Sequence, residues 1–232
     1  MSLESGIGIE IPYMSRESIA ERAYDLCRRA FGELPLGPPN LDALVFDYLY
    51  DEYGVAFYAD RPLGRDDQED ILGMTYPIKN EIHIDGRLAG EGHRGRYRFT
   101  VAHEIGHWVL HRPLFLEREP SEGEARLVTL QRDIDADSTQ GESYRAEEWQ
   151  ANLFAIHLLL NDRALEKAFA ARFGNTTVGF GEDEAEEFEE IRAFSRHLAG
   201  MEVDGRPSLA AHFELSVEAT AIALEERGYV ES

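Results

Sequence analysis

Apolar positions along this chain follow two rhythms. Over 15–31 (SRESIAERAYDLCRRAF), Ile19, Ala23, Leu26, Cys27 and Ala30 recur at helical spacing, with Ser15 placed as the N-cap. The breaker-rich GELPLGPPN follows, and Asn40 can cap a second helix over 41–53, with Leu41, Leu44, Val45, Tyr48 and Leu49 on one side and Gly54 at its end. Short apolar runs come next. VAFYA, ILGMTYPI and EIHID read as strands, with Lys79-Asn80 and Asp85-Gly86 as turn residues. The helical rhythm returns over 96–111, where Pro113 stops it, and again over about 143–171. The polar stretch 117–147 fits neither rhythm, although ARLVTLQRD within it suits a strand. After the break GNTTVGFG, residues 181–200 predict a helix with Phe188, Ile191 and Phe194 as its apolar stripe. The segment PSLAAHFELSVEATAIALEERGYV predicts two short helices, the second capped by Ser216.

The order is helix, helix, small sheet, two helices and a helical tail. That is an α+β fold: a small β-sheet packed on a two-helix core, with a helical C-terminal tail. Changes in composition divide it into 1–172, an acidic helical linker region 173–206, and a small helix-turn-helix-like element 207–232.

Composition narrows the function classes. The 232 residues are 43% hydrophobic, enough for a packed core and too many for a disordered chain. No run approaches the length of a membrane span, and the N-terminus lacks the basic and apolar regions of a secretory signal. One cysteine, Cys27, excludes an internal disulfide and predicts a reducing, cytoplasmic setting. The net charge of −22 opposes binding to nucleic-acid phosphates and to anionic membranes. Seven of the ten residues 181–190 are acidic, a solvated face in the simplest reading.

The chemistry concentrates in RFTVAHEIGHWVLH (98–111). Side chains four apart on a helix lie one above the other, so His103 and His107 can take two corners of a tetrahedral zinc site. Glu104 then stands beside the metal, where it can act as general base on a water. Gly106 weakens the helix by about 1 kcal/mol relative to alanine, which predicts close approach of another backbone there.

Catalytic zinc usually has three protein ligands and an open position. The metzincin places for glycine and a third histidine hold Leu110 and Pro113, so that pattern fails. His111 is one turn too far for the same ion, leaving it as a C-terminal cap or a substrate-side residue. EEWQANLFAIHLLL (147–160) offers a carboxylate instead. Glu148 and Asn152 share a face with Ala151 and Ala155; Glu148 would bind the metal and Asn152 would hydrogen-bond a ligand histidine. Glu147 is the rival, about 100° round the helix. Two imidazoles and a carboxylate suit zinc best, though iron(II) uses the same set. Candidates for an oxyanion donor are Tyr76, His83, His93, Tyr97, Tyr144 and His157.

With both helices in hand, the chain resembles the ImmA/IrrE family of metallopeptidase-like proteins. RFTVAHEIGHWVLH is similar to the family's FTxAHExGHxxLH, EWQANLFAIHLLL to its E(W)xANxFAxxLLMP, and SLAAHFELSVEATAIALEERGYV to its C-terminal element. The opening SRESIAERAYDLC also fits. The resemblance implies a gluzincin-like site, with His103, His107 and Glu148 on zinc and Glu104 as general base. It also implies a specific protein substrate, since several members cleave or inactivate a helix-turn-helix repressor in bacterial, phage and mobile-element regulation. Three features depart from the pattern. Leu160-Asn161 replaces Met-Pro, 36 residues separate His111 from Glu148, and the acidic 175–205 region has no counterpart. A large C-terminal sensor domain, as in the radiation-response members, is not expected.

Two other classes compete with the peptidase. LAAHFELSVEATAIAL has helix-turn-helix spacing, but 207–232 carries one basic residue, Arg227, against five acidic ones. DNA recognition needs several cationic or amide side chains there. The other alternative is a toxin–antitoxin-like interaction module with an idle or structural metal site, for which an intact Glu104 has no use.

Overall fold

The sheet forms where the period-two runs lie, and its register sets the floor of the site. The computed structural model describes residues 3–4, 10–66, 69–90, 94–117, 126–130, 146–174, 177–180 and 190–231. The acidic run 181–189, Phe188, His93 and Tyr144 lie outside the described residues. The packing divides the chain into two compact units, 1–33 with 39–158, and 34–38 with 159–232. The division drawn from composition cuts after 172 and 206 instead.

In the first unit, strands β1 (Leu3–Glu4) and β2 (Glu10–Ile11) pair antiparallel ahead of helix α1 (Arg16–Phe31). The Ser15 hydroxyl accepts from Ser18 N at 3.2 Å and Gly32 closes the helix at φ 79°, as capping chemistry predicts. The Asn40 side chain likewise accepts from Ala43 N at 3.1 Å. The helix it opens is wound as a π-helix over Ala43–Leu49 before it continues as α2 (Tyr50–Tyr53), a widening that nothing in the sequence signals.

Strands β3 (Ala56–Arg61), β4 (Arg65–Asp66), β5 (Glu69–Tyr76), β6 (Glu81–Asp85) and β7 (Leu127–Leu130) form one sheet. β6 lies between β3, its parallel neighbour, and β5, its antiparallel one; β4 and β7 both pair antiparallel with β5. The turn between β5 and β6 puts Asn80 at φ 61°, a conformation asparagine tolerates better than most residues. Alternation along EIHID sends Ile82 and Ile84 inward, both at 0% exposure.

Helix α3 (Arg94–Leu110) is buried almost all round, and the short α4 (Arg112–Leu116) follows it. Pro113 thus stands in the first turn of a new helix, where its missing N–H costs nothing, rather than marking a plain stop. The predicted long helix over 143–171 is two helices, α5 (Ala146–Leu159) and α6 (Asp162–Phe173). The break is local chemistry: the Asn161 side chain accepts from Ala164 N at 3.0 Å and starts α6 afresh. Leu160-Asn161 thus ends α5 and opens α6 by a cap.

The second unit contains α6, strand β8 (Val178–Gly179), α7 (Ile191–Gly200), α8 (Leu209–Phe213), α9 (Val217–Glu226) and β9 (Val230–Glu231), which pairs parallel with β8. Ser208 and Ser216 cap α8 and α9. Phe169, Phe213, Ala221 and Leu224 are fully buried. Arg192 reaches Glu218 and Glu225 at 3.1 and 2.7 Å, tying α7 to α9. The fold is α+β, as the patterning predicts.

Candidate metal centre

Helices α3 and α5 meet at two small residues. A Cβ built on Gly106 would stand 3.1 Å from Ala151 O and 3.2 Å from Ala151 Cα, tighter than side chains normally pack. Gly106 therefore lets the backbones approach, which is the reason its position in a helix predicted. That contact brings the motif face of α3 against the Glu148 face of α5.

At the contact, His103 Nε2 lies 2.9 Å from His107 Nε2 and 3.1 Å from Glu148 Oε2, and His107 Nε2 lies 3.5 Å from Glu148 Oε1. All three side chains are buried, at 0–1% exposure. Zinc at about 2.0–2.1 Å from each ligand of a tetrahedron places ligand atoms about 3.3 Å apart, so these separations bracket that edge. The donor set fits too, since two imidazoles and a carboxylate converge on one point. His103, His107 and Glu148 could hold a metal ion. Glu147 is also fully buried but is not part of this group.

The electrostatics follow the same convergence. Burial acts to raise the Glu148 carboxyl, but the two imidazoles outweigh it and hold the group far below the usual carboxylate range. His103 is raised: burial opposes its charge, and Glu148 more than compensates. Glu104 is raised above its ordinary value by burial, against the pull of both imidazoles. An elevated carboxylate beside a cation site suits a group that must take up and return a proton.

Glu104 is held from the sheet. Thr75 Oγ1 on β5 lies within hydrogen-bond reach of the Glu104 carbonyl, at 3.1 Å, and of Glu104 Oε2. Glu104 Oε1 is buried without a hydrogen-bond partner among the described residues. Gly73, two residues before Thr75, makes room for it: a Cβ there would lie 2.2 Å from Glu104 Oε1. A glycine inside a strand often marks such an approach, and ILGMTY carried that signal without revealing its target.

Each imidazole has a partner on its far nitrogen. His103 Nδ1 meets Asn152 Oδ1 at 2.7 Å. His107 Nδ1 meets His111 Nδ1 at 3.0 Å, and His111 Nε2 meets Gln150 Oε1 at 3.1 Å. The His111 side chain caps neither helix end; it is 1% exposed behind His107, with both ring nitrogens in these contacts. Burial, reinforced by His107, pushes the His111 imidazole down to about 3, so it stays neutral at ordinary pH. Spacing alone does not reveal this, because i to i+4 stacking is compatible both with shared metal binding and with ring-to-ring hydrogen bonding. Gln150 carried no signal, as its partners come from distant segments.

The oxyanion candidates separate. His157 turns away and bonds Tyr24 of α1 at 2.9 Å. Its place on α5, about 180° round from Glu148, explains this. Tyr76 and His83 sit in ring contact with each other, and His83 Nε2 also meets Glu81 at 3.0 Å. Tyr97 is half-buried on the first turn of α3.

Among the described residues no helix is long and apolar enough to cross a membrane. A comparison with curated proteins found no match. The profile of the IrrE N-terminal-like domain, Peptidase_M78, matches residues 65–225. That span takes in the sheet from β4 onward, both site helices and nearly all of α9. The chain belongs to the IrrE N-terminal-like family of metallopeptidase-like proteins.

Proposed function

We propose that this protein is a zinc-dependent endopeptidase that cuts a peptide bond in a specific protein partner, a helix-turn-helix repressor being the expected kind. The observation that carries the reading is the buried His103, His107 and Glu148 group with the buried carboxylate of Glu104 beside it. A structural metal site has no need of that carboxylate, and burying it costs stability.

His103, His107 and Glu148 would hold the ion. Zinc, when bound, supplies Lewis-acid polarisation of the scissile carbonyl and acidifies a water in the open position. Glu104 accepts the proton of the attacking water at its carboxylate and passes it to the leaving amine. Thr75 and the gap left by Gly73 keep the carboxylate aimed at that position. Asn152 holds His103 with its Nε2 lone pair forward. Selectivity for a basic or neutral protein segment is consistent with the chain's net charge of −22. The buried thiol of Cys27 suits a reducing cytoplasm.

The test is to incubate the zinc-loaded protein with a purified helix-turn-helix repressor and read fragments by mass spectrometry. Glu104→Gln should keep stoichiometric zinc and lose cleavage. Cutting at the full rate by that variant refutes the mechanism. Tight binding of the repressor without any cutting by the parent protein would replace the peptidase with an interaction module.

A further inference from the structure

The hydrogen-bond chain behind His107 does not stop at His111. Gln150 Nε2 donates to the carbonyl of Pro12 at 2.9 Å, a residue 138 positions earlier in the sequence. That last link sets the sense of all the others. A carbonyl only accepts, so the amide must turn its NH2 toward Pro12 and its oxygen toward His111. The Gln150 oxygen then accepts from His111 Nε2–H. A neutral imidazole has one N–H, so His111 Nδ1 is left as an acceptor. His107 must therefore donate its Nδ1–H to His111, which leaves the Nε2 lone pair facing His103 and Glu148. With the amide reversed, His111 would donate from Nδ1, and His107 would carry its proton on Nε2, the atom a metal needs bare.

We propose that His111 and Gln150 are positioning residues for the metal site: anchored on the Pro12 carbonyl beside β2, they hold His107 in the tautomer that binds a cation through Nε2. The inference rests on His107 as a metal ligand but not on any cleavage. It makes the N-terminal segment part of the metal centre, since the anchor follows Ile11, itself packed with Phe115, Leu127 and Ala146. It also gives the two ligand histidines separate devices. His103 is set by one amide on α5, and His107 by a three-membered chain that reaches Pro12.

The experiment uses the full chain and zinc alone. Affinity is measured by competition with a chromophoric chelator. The His107 tautomer is read in metal-free protein by long-range 1H–15N correlation of the imidazole. The parent protein should show a proton on His107 Nδ1. Gln150→Leu and His111→Phe should each weaken zinc about tenfold, the low end for partners of metal-binding histidines. His111→Asn keeps an acceptor at the place of Nδ1 and should retain most of the affinity. Circular dichroism of the metal-free variants separates these effects from misfolding. A bare His107 Nδ1 in the parent protein overturns the proposal. So does unchanged zinc affinity in Gln150→Leu, or an equal loss in His111→Asn and His111→Phe. A protein that passes these tests yet cuts no partner would keep the inference and lose the peptidase.

Discussion

The two units treat polar groups in opposite ways. Around α3 and α5 the first unit buries ionisable side chains together: His103, Glu104, His107, His111 and Glu148 are all at 0–1% exposure. Around α7 and α9 the second unit buries Phe194, Leu198, Ala221 and Leu224 and keeps its ion pairs partly open to solvent, with Glu218 about a third exposed and Glu225 about a fifth. Buried charge destabilises a fold unless something binds it, whereas an apolar core stabilises on its own. The first arrangement therefore spends stability on a binding site, and the second is ordinary packing. Metal should stabilise the first unit and leave the second indifferent.

The sharpest break in that contrast is Glu148→Gln. An amide removes the charge that holds the imidazoles, so zinc affinity should fall by about two orders of magnitude or more, while Glu147→Gln keeps the metal. Zinc content after dialysis decides it, and the reverse result moves the ligand to Glu147. Gly73→Ala comes next. Its Cβ would displace Glu104 from its seat against β5, so cleavage should drop about a hundredfold with zinc retained. An unchanged rate would show that Glu104 does not depend on that gap. Phe213→Ala addresses the other half of the comparison. It opens a cavity in the second unit and should cost about 3–5 kcal/mol in chemical denaturation, with the zinc stoichiometry of the folded protein unchanged.

Cys27 gives the smallest effect. Burial, only partly offset by Arg28, pushes its thiol from about 9 up to about 12. The fold thus prefers the protonated form. Its contribution is complete below the ordinary thiol value and is lost as pH rises through about 12. Native protein at pH 8.5 should alkylate far more slowly than protein in denaturant. Equal rates would place the thiol at the surface.

Legibility differed from element to element. α1 and α9 were readable because their apolar spacing and their caps, Ser15 and Ser216, agree. The break at Asn161 was harder, because the helical rhythm of 143–171 runs on through it and only the cap chemistry interrupts. The π-winding of Ala43–Leu49 has no side-chain signature at all. In the site, His103, Glu104, His107, Glu148 and Asn152 could be named from two helical patterns, since i to i+4 spacing fixes which side chains share a face. Gly73, Thr75, Gln150 and Pro12 could not, because each acts across a gap in sequence that local periodicity does not bridge.

The sequence by itself determined the α+β order, the helix ends that side chains cap, and the half-sites on α3 and α5. Those follow from the geometry of one chain segment at a time. Tertiary structure decided how the halves meet, through the bare backbone contact of Gly106 with Ala151. It also decided where Glu104 points, and which nitrogen of His107 faces Glu148. These are matters of ångströms and of hydrogen-bond direction between distant segments, and only packing brings such segments within range of each other.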